Sequence, residues 1–276
     1  MVISDVHLGS GQCHAEELLA YLSSIRPKKL IINGDLIDAR RTEKSYFPPS
    51  HFKVLKKILG FAAAGTEVHY ICGNHDTLMH KFSGETLGGF RVGNQLLLDL
   101  DGRKTWIFHG DIFDLLPGRT KWYPKFGTAG YSLLLRISRG ICRFLEVLGK
   151  RPPSAAQRIG DPSRNPLEAL ENFKKTAAEL ATHRGCGALV CGHIHQPGKQ
   201  WMETSRGECL YLNSGDWVEN LTALEYNFKR WKLYRYDEDK LSPFFADEDL
   251  KGMDISDLLA RVTSGKGAGE AKPSGE

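Results

Sequence analysis

Five short clusters place the residue types of a hydrolytic metal centre at separate points along the 276-residue chain: Asp5-Val6-His7, Gly34-Asp35-Leu36-Ile37-Asp38, Gly73-Asn74-His75-Asp76, His109-Gly110-Asp111 and Gly192-His193-Ile194-His195. Each is a Gly-rich or polar turn directly behind an apolar run, so strand ends could bring oxygen and imidazole ligands from distant sequence to one place. On an extended strand end residues i and i+2 share a face, so Asp5 and His7 could meet one cation, as could His193 and His195. Gly34 lets the backbone turn and presents Asp35 as a carboxylate able to bridge two ions. Asn74 offers a neutral amide oxygen and His109 an imidazole.

Such a set, with carboxylate, imidazole and amide but no thiolate, suits Mn, Fe or Zn in a catalytic site better than a structural Zn site. Two cations about 3.5–4 Å apart acidify a shared water and clamp a phosphoryl group for in-line attack. The chemistry implied is phosphoester or phosphoanhydride hydrolysis. Singly, most of these clusters would pass as ordinary turns or caps. Five in this order, each behind a strand-like run, make chance a poor account. Asp38, Asp76, Asp111 and Asp114 are placed to orient ligating imidazoles rather than to bind metal. His14, His51, His69, His80 and His183 lie outside the turns and are assigned to surface or core packing.

The elements that must position these residues read as strands at Val2-Ser4, Leu30-Asn33, Glu67-Cys72, Leu96-Leu100, Thr105-Phe108, Ala188-Cys191, Cys209-Asn213, Leu221-Tyr226 and Trp231-Tyr236. Helical periodicity covers Ala15-Ile25, His51-Ala64 and Pro166-His183, the last with Pro in its first turn. This alternation predicts an α/β layered domain, with later strands that make part of the sheet system antiparallel or mixed. Residues 117–165 interrupt the rhythm as an insertion around one apolar helix candidate, Tyr131-Leu148. Ten Lys and Arg residues there, from Arg119 to Arg164, face only Glu146 and Asp161. Residues 241–262 read as a C-terminal extension and 263–276 as a tail too polar to order itself.

The chain is long enough to bury a substantial core, and the spread of the clusters favours one domain over residues 1–240. The formal charge of +4 and pI near 8.6 are too mild to argue for a nucleic-acid binder. Six scattered cysteines with no Cys-x-x-Cys pair predict reduced thiols, and hence a cytoplasmic chain with no signal segment ahead of Asp5. No apolar run approaches the roughly 20 residues that span a bilayer, so membrane contact would be peripheral.

The five clusters resemble, in order, the D-x-H, G-D-x-x-D, G-N-H-D, H-G and G-H-x-H elements of the calcineurin-like metallophosphoesterase superfamily. That resemblance implies a four-layer α-β-β-α sandwich of two mixed sheets. It also implies one metal held by Asp5, His7, Asp35 and His195 and another by Asp35, Asn74, His109 and His193, most often Mn²⁺, with Fe or Zn as alternatives. His75 is then the catalytic imidazole that stabilises the transition state or protonates the leaving oxygen. Ile3-Ser4-Asp5-Val6-His7-Leu8-Gly9, His109-Gly110-Asp111-x-Phe113-Asp114 and the run from Tyr211 to Glu219 are similar to the UDP-2,3-diacylglucosamine hydrolase-like branch, over roughly residues 2–236. In that branch an insertion between the fourth and fifth elements forms a helical cap over the metals, and residues 117–165 stand at that place. Asn213, in the last run, joins the candidates for supporting the site or touching substrate. The best-characterised hydrolases of the branch resemble G-N-R-D where this chain has His75, so it is similar to the His-bearing subgroup.

These readings favour hydrolysis of a nucleotide-linked glycolipid to UMP and an acylated sugar 1-phosphate. The insertion would accept acyl chains and meet the anionic inner leaflet at its cytoplasmic face. A soluble nucleotide or phosphodiester substrate remains open, as does a non-catalytic scaffold, against which the filled ligand positions argue. Nucleic acid is not an expected partner, and the sequence leaves the oligomeric state open.

Overall fold

The computed structural model of the chain describes residues 1–38, 46–115 and 166–239, with the isolated positions Ser256, Leu259, Ala260 and Thr263. The insertion at 117–165, its helix candidate Tyr131-Leu148 and nearly all of the extension and tail lie outside the described residues.

Two mixed sheets form the centre. The first holds seven strands in the order β12-β11-β1-β2-β3-β5-β4. These are β1 Val2–Ile3, β2 Lys29–Asn33, β3 Glu67–Ile71, β4 Thr86–Leu87, β5 Phe90–Gly93, β11 Thr222–Asn227 and β12 Arg230–Arg235. The second runs β6-β7-β8-β10-β9, built from β6 Gln95–Leu100, β7 Arg103–Phe108, β8 Ala188–Cys191, β9 Gly198–Thr204 and β10 Gly207–Asn213. β1, β2, β3 and β5 are mutually parallel, as are β7, β8 and β10, and the outer strands pair antiparallel.

Burial on both faces explains why the central strands read as unbroken apolar runs. One face of the first sheet, with Ile3, Leu30, Ile32, Val68 and Tyr70, packs against helices α1 (Ala15–Ser24) and α2 (Pro49–Ala63) through Leu18, Leu22, Val54, Ile58 and Phe61. Its other face meets the second sheet through Val2, Ile31, Ile71 and Leu224 against Ile107, Ala188, Val190 and Leu212. The outer face of the second sheet takes helix α3 (Pro166–His183), whose Phe173, Ala177, Ala178 and Ala181 lie on Trp106, Phe108, Leu189 and Tyr211. This is the helix-sheet-sheet-helix order implied by the resemblance.

The sequence reading missed three strands, β4, β5 and β9. All are short or peripheral, and β9 alternates little because most of it is exposed. Helix α2 starts at Pro49, two residues earlier than expected, because Pro suits a first helical turn. Among the described residues no helix is long and apolar enough to cross a membrane.

An aromatic stack ties α1 to the far edge of the first sheet. Tyr21 lies 5.5 Å from Trp217 and 4.0 Å from Tyr234, ring centre to ring centre, and its hydroxyl donates to Glu225 at 2.9 Å. Trp217 is among the largest fully buried side chains, so Trp217→Ala should destabilise the fold by about 3–5 kcal/mol. Urea unfolding followed by circular dichroism checks this; an unchanged midpoint would show that the stack carries no weight.

Candidate functional site

The five clusters follow β1, β2, β3, β7 and β8, so each leaves the C-terminal end of a parallel strand. Open α/β sheets place ligand sites at such ends. Here two sheets contribute, and hydrogen bonds fasten them together at the site. Asn33 Nδ2 donates to the Phe108 carbonyl at 3.1 Å, and His109 Nδ1 pairs with the Asn33 carbonyl at 2.8 Å. The His109 contact commits Nδ1 to the backbone and leaves Nε2 facing inward.

Asp5 and His7 do converge with the other clusters, but not by the extended geometry expected from their spacing. Both have left-handed backbones, with φ of 52° and 54°, as do Asp35 (53°), His193 (65°) and His195 (50°). The strand before Asp5 stops at Ile3, and the chain then turns over the end of β2. Asp5 N donates to the Gly34 carbonyl, and His7 N to the Asp35 carbonyl, each at 3.0 Å. A non-glycine residue in this region costs about 1–3 kcal/mol and persists only where its surroundings fix it.

Three overlapping groups of ligand atoms result, each lying within 4.8 Å of one another: Asp5, His7 and His195; His7, Asp35 and His75; and Asp5, Asp35 and His109. His195 Nε2 is 3.3 Å from Asp5 Oδ1, and His109 Nε2 is 3.3 Å from Asp35 Oδ2. His193 enters differently. Its backbone N donates to Asp5 Oδ2 at 2.9 Å while its ring stands edge-on to His109 at 5.1 Å. Asn74 carries its amide oxygen buried at the end of β3.

The donor set fits a cation. Asp5 Oδ1 and His109 Nε2 are buried and make no directed hydrogen bond, even to the charged neighbours 3.3 Å away, although buried polar atoms are ordinarily paired. They converge at 4.0 Å, a separation suited to shared coordination. Carboxylate oxygens and imidazole nitrogens are appropriate for Mn, Fe or Zn.

Electrostatics points the same way. Burial alone would raise the Asp5 carboxyl, yet the His109 charge and a His195 contact hold it below the usual range. Asp35 is likewise depressed: burial opposes ionisation, and His109 outweighs it. Burial would lower His109, but the Asp35 and Asp5 charges lift it well above an ordinary imidazole. His7 is lowered, chiefly by burial. A centre that stabilises ionised carboxylates with positive charge is prepared for cations.

The expected supporting carboxylates divide. Asp38 lies beside two imidazoles, with Oδ1 2.9 Å from His75 Nδ1 and Oδ2 3.6 Å from His7 Nδ1. Asp76 holds backbone instead of an imidazole. Its Oδ2 accepts from Asp35 N at 2.7 Å and Gly73 N at 2.9 Å, and its Oδ1 accepts from the Tyr70 hydroxyl at 2.6 Å. Burial pushes its carboxyl up to about 6. Asp111 is raised by burial against the opposing charges of His109 and His193. The Asp114 side chain lies outside the described residues. Asn213 spends its amide on backbone, donating to the Gly192 carbonyl and accepting from Gly215 N, each at 2.9 Å.

Sequence reasoning passed over several braces. His51 Nδ1 accepts from Gly9 N, and His80 Nε2 meets the Gly73 carbonyl, each at 2.9 Å. Both were assigned to packing, and both pack beneath site loops. Asp216, in the quoted run from Tyr211 to Glu219, was not singled out, though its Oδ2 lies 3.6 Å from His195 Nδ1. A carboxylate three residues beyond a strand, after Asn, Ser and Gly, was the available signal.

Close packing around Gly192 gives a test. A Cβ there would stand 2.5 Å from Asp5 Oδ2 and 2.7 Å from Ser4 Oγ. Gly192→Ala should therefore displace the Asp5 carboxylate and lower metal uptake sharply while far-UV circular dichroism stays native. Elemental analysis of the purified variant checks it; full metal content would mean Asp5 is free to move.

A profile of the calcineurin-like phosphoesterase family matches residues 1–197. The chain is 23% identical over 255 residues to a UDP-2,3-diacylglucosamine hydrolase of Aliivibrio fischeri, covering 85% of this chain and 97% of the relative. It is 25% identical to a protein of the same name from Nitrosococcus oceani, covering 80% and 88%. Among solved structures, Yfce, a phosphoesterase from E. coli, aligns at 15% identity with a TM-score of 0.44, over 86% of this chain and 92% of that one.

Proposed function

This chain belongs to the calcineurin-like phosphoesterase family and is a metal-dependent phosphohydrolase, and from that premise we propose that it cleaves the pyrophosphate of UDP-2,3-diacylglucosamine or a related nucleotide-linked glycolipid. The products are UMP and an acylated sugar 1-phosphate. The observation that carries the reaction class is the convergence of Asp5, His7, Asp35, His75, His109 and His195 into overlapping donor groups. The substrate rests on relatives of that name that match 85% and 80% of this chain.

In this reading Asp5, His7, Asp35 and His195 hold one divalent cation and Asp35, Asn74, His109 and His193 the other, with Mn²⁺ the preferred ion. Cations bound there supply Lewis acidity toward a phosphoryl oxygen and toward water. The chain's own residues do the rest. Asp35, held by Asp76 through its backbone N, keeps its carboxylate between the two halves. His75 is anchored at Nδ1 by Asp38, which turns Nε2 toward the other donors, 4.0 Å from Asp35 Oδ2. Water oxygen attacks phosphorus and gives up a proton to solvent, the bridging P–O bond breaks, and His75 Nε2 gives its proton to the departing oxygen and is reloaded from solvent.

The insertion at 117–165, basic and apolar in sequence, is assigned to the cap that takes acyl chains. Its Arg and Lys residues suit the anionic cytoplasmic face of a membrane, to which the enzyme binds peripherally. A second reading, a soluble nucleotide or phosphodiester substrate, is favoured by one observation: His75 stands where an Arg would offer a larger, fixed fork of donors.

Product analysis by mass spectrometry separates the two. Mn²⁺-loaded protein with UDP-2,3-diacylglucosamine in detergent should release UMP and the acylated sugar 1-phosphate; cleavage of bis-p-nitrophenyl phosphate alone would favour the second. Asp35→Asn should remove most metal and activity together, and a metal-replete, active variant would refute the bridging role. His75→Ala should keep its metal and lose about 10²–10⁴-fold in turnover, the scale of a positioned acid. An unchanged rate would take His75 out of the mechanism.

A further inference from the structure

The turn from Asn213 to Asn220 lies outside the five clusters yet grips one side of the donor set, at Asp5 and His195. Asp216 at its centre is 0% exposed. Its Oδ1 accepts from the backbone N–H of Val218 at 2.8 Å, Glu219 at 2.5 Å and Asn220 at 3.1 Å. That oxygen shapes the turn. Its Oδ2 accepts from Asn220 Nδ2 at 2.5 Å and faces His195 Nδ1 at 3.6 Å, while the same Asn220 amide reaches the His195 carbonyl at 3.0 Å. One small turn thus bonds the His195 backbone and sets a buried carboxylate beside its ring.

The turn also fixes the other donor on that side. Trp217 N donates to the Asp5 carbonyl at 3.1 Å. Ser4 Oγ meets Ser214 Oγ at 2.7 Å and donates to the Gly215 carbonyl at 2.8 Å. Asp35, His75 and His109 are held by different groups, namely Asp76, Asp38 and the Asn33 carbonyl. Asp38 touches both sides, at 3.6 Å from His7 and 2.9 Å from His75, whereas the Asn213 to Asn220 turn braces Asp5 and His195.

An imidazole ligates through one nitrogen when the other carries its proton toward an acceptor, which fixes tautomer and ring direction together. We propose that Asp216 is a positioning residue that keeps the His195 proton on Nδ1, aims Nε2 at the cation subsite shared with Asp5 and His7, and secures that subsite independently of its neighbour. The inference rests on the ligand assignment made above for that side.

The test strips the full chain with chelator and titrates it with MnCl₂, reading binding by electron paramagnetic resonance. Wild-type protein should fill both subsites and give the signal of an exchange-coupled pair. Asp216→Asn keeps an oxygen for the turn's N–H groups but removes the charged acceptor for His195. It should weaken one Mn²⁺ equivalent by about 10–100-fold, leave the other unchanged, and show an uncoupled signal where wild type is coupled. Asn220→Ala, which leaves the carboxylate in place, should weaken the same equivalent by a smaller factor and covers the case that Asp216→Asn misfolds. Equal weakening of both equivalents, or unaltered binding in a folded variant, would overturn the proposal. If wild type fills both subsites and only the Asp216 result fails, the ligand assignment stands; wild type that takes up no Mn²⁺ would overturn both.

Discussion

Two buried carboxylates gathered around one imidazole govern the rest of this structure. Asp5 and Asp35 both lie near His109 Nε2, at 4.0 and 3.3 Å, where solvent cannot screen them. Isolating such charges from water costs several kcal/mol per ion unless opposite charge is supplied. In the protein without cations, imidazole protons give part of that compensation, which is why His109 and His195 are raised and the carboxylates lowered. Cations of the right size supply it more fully. The pocket is therefore a site whose electrostatics is completed by metal.

Holding that arrangement requires an unusual backbone. Five of the residues that point inward adopt left-handed conformations, each carrying a local cost that the surroundings must offset. The offset comes from braces on both sheets: Asp76 beneath Asp35 and Gly73, the Asn33 contacts that join the sheets, and the Asn213 to Asn220 turn against Asp5 and His195. Parallel strands end together at one edge, so turns remote in sequence are neighbours. Cores above and below make those ends rigid, which lets atoms with no directed hydrogen bond keep their places.

Much of this was legible in the residues. Pro166 and a clean helical period defined α3 with its observed limits, and the apolar, β-rich run Leu30-Asn33 marked the strand that the structure buries on both faces. The five clusters were readable because types and order together are improbable by accident. What was not legible depended on contacts between remote segments. The i, i+2 argument brought Asp5 and His7 to one place for the wrong reason, since Asp and His only tolerate left-handed geometry and do not announce it. Asp76 looked like a partner for an imidazole, and only the fold reveals that it serves the Asp35 and Gly73 amides. Short β4 and β5 and the largely exposed β9 lacked the alternation that marks half-buried strands.

In the proposed centre Asp35 stands between two cations at the meeting edge of the sheets. The most direct measurement is a crystal structure of Mn²⁺-loaded protein with anomalous differences recorded at the manganese edge. Two peaks about 3.5–4 Å apart are expected, one against Asp5, His7 and His195, the other against Asn74, His109 and His193, with the Asp35 carboxylate touching both. A single peak, or a pair in which Asp35 takes no part, would contradict this arrangement.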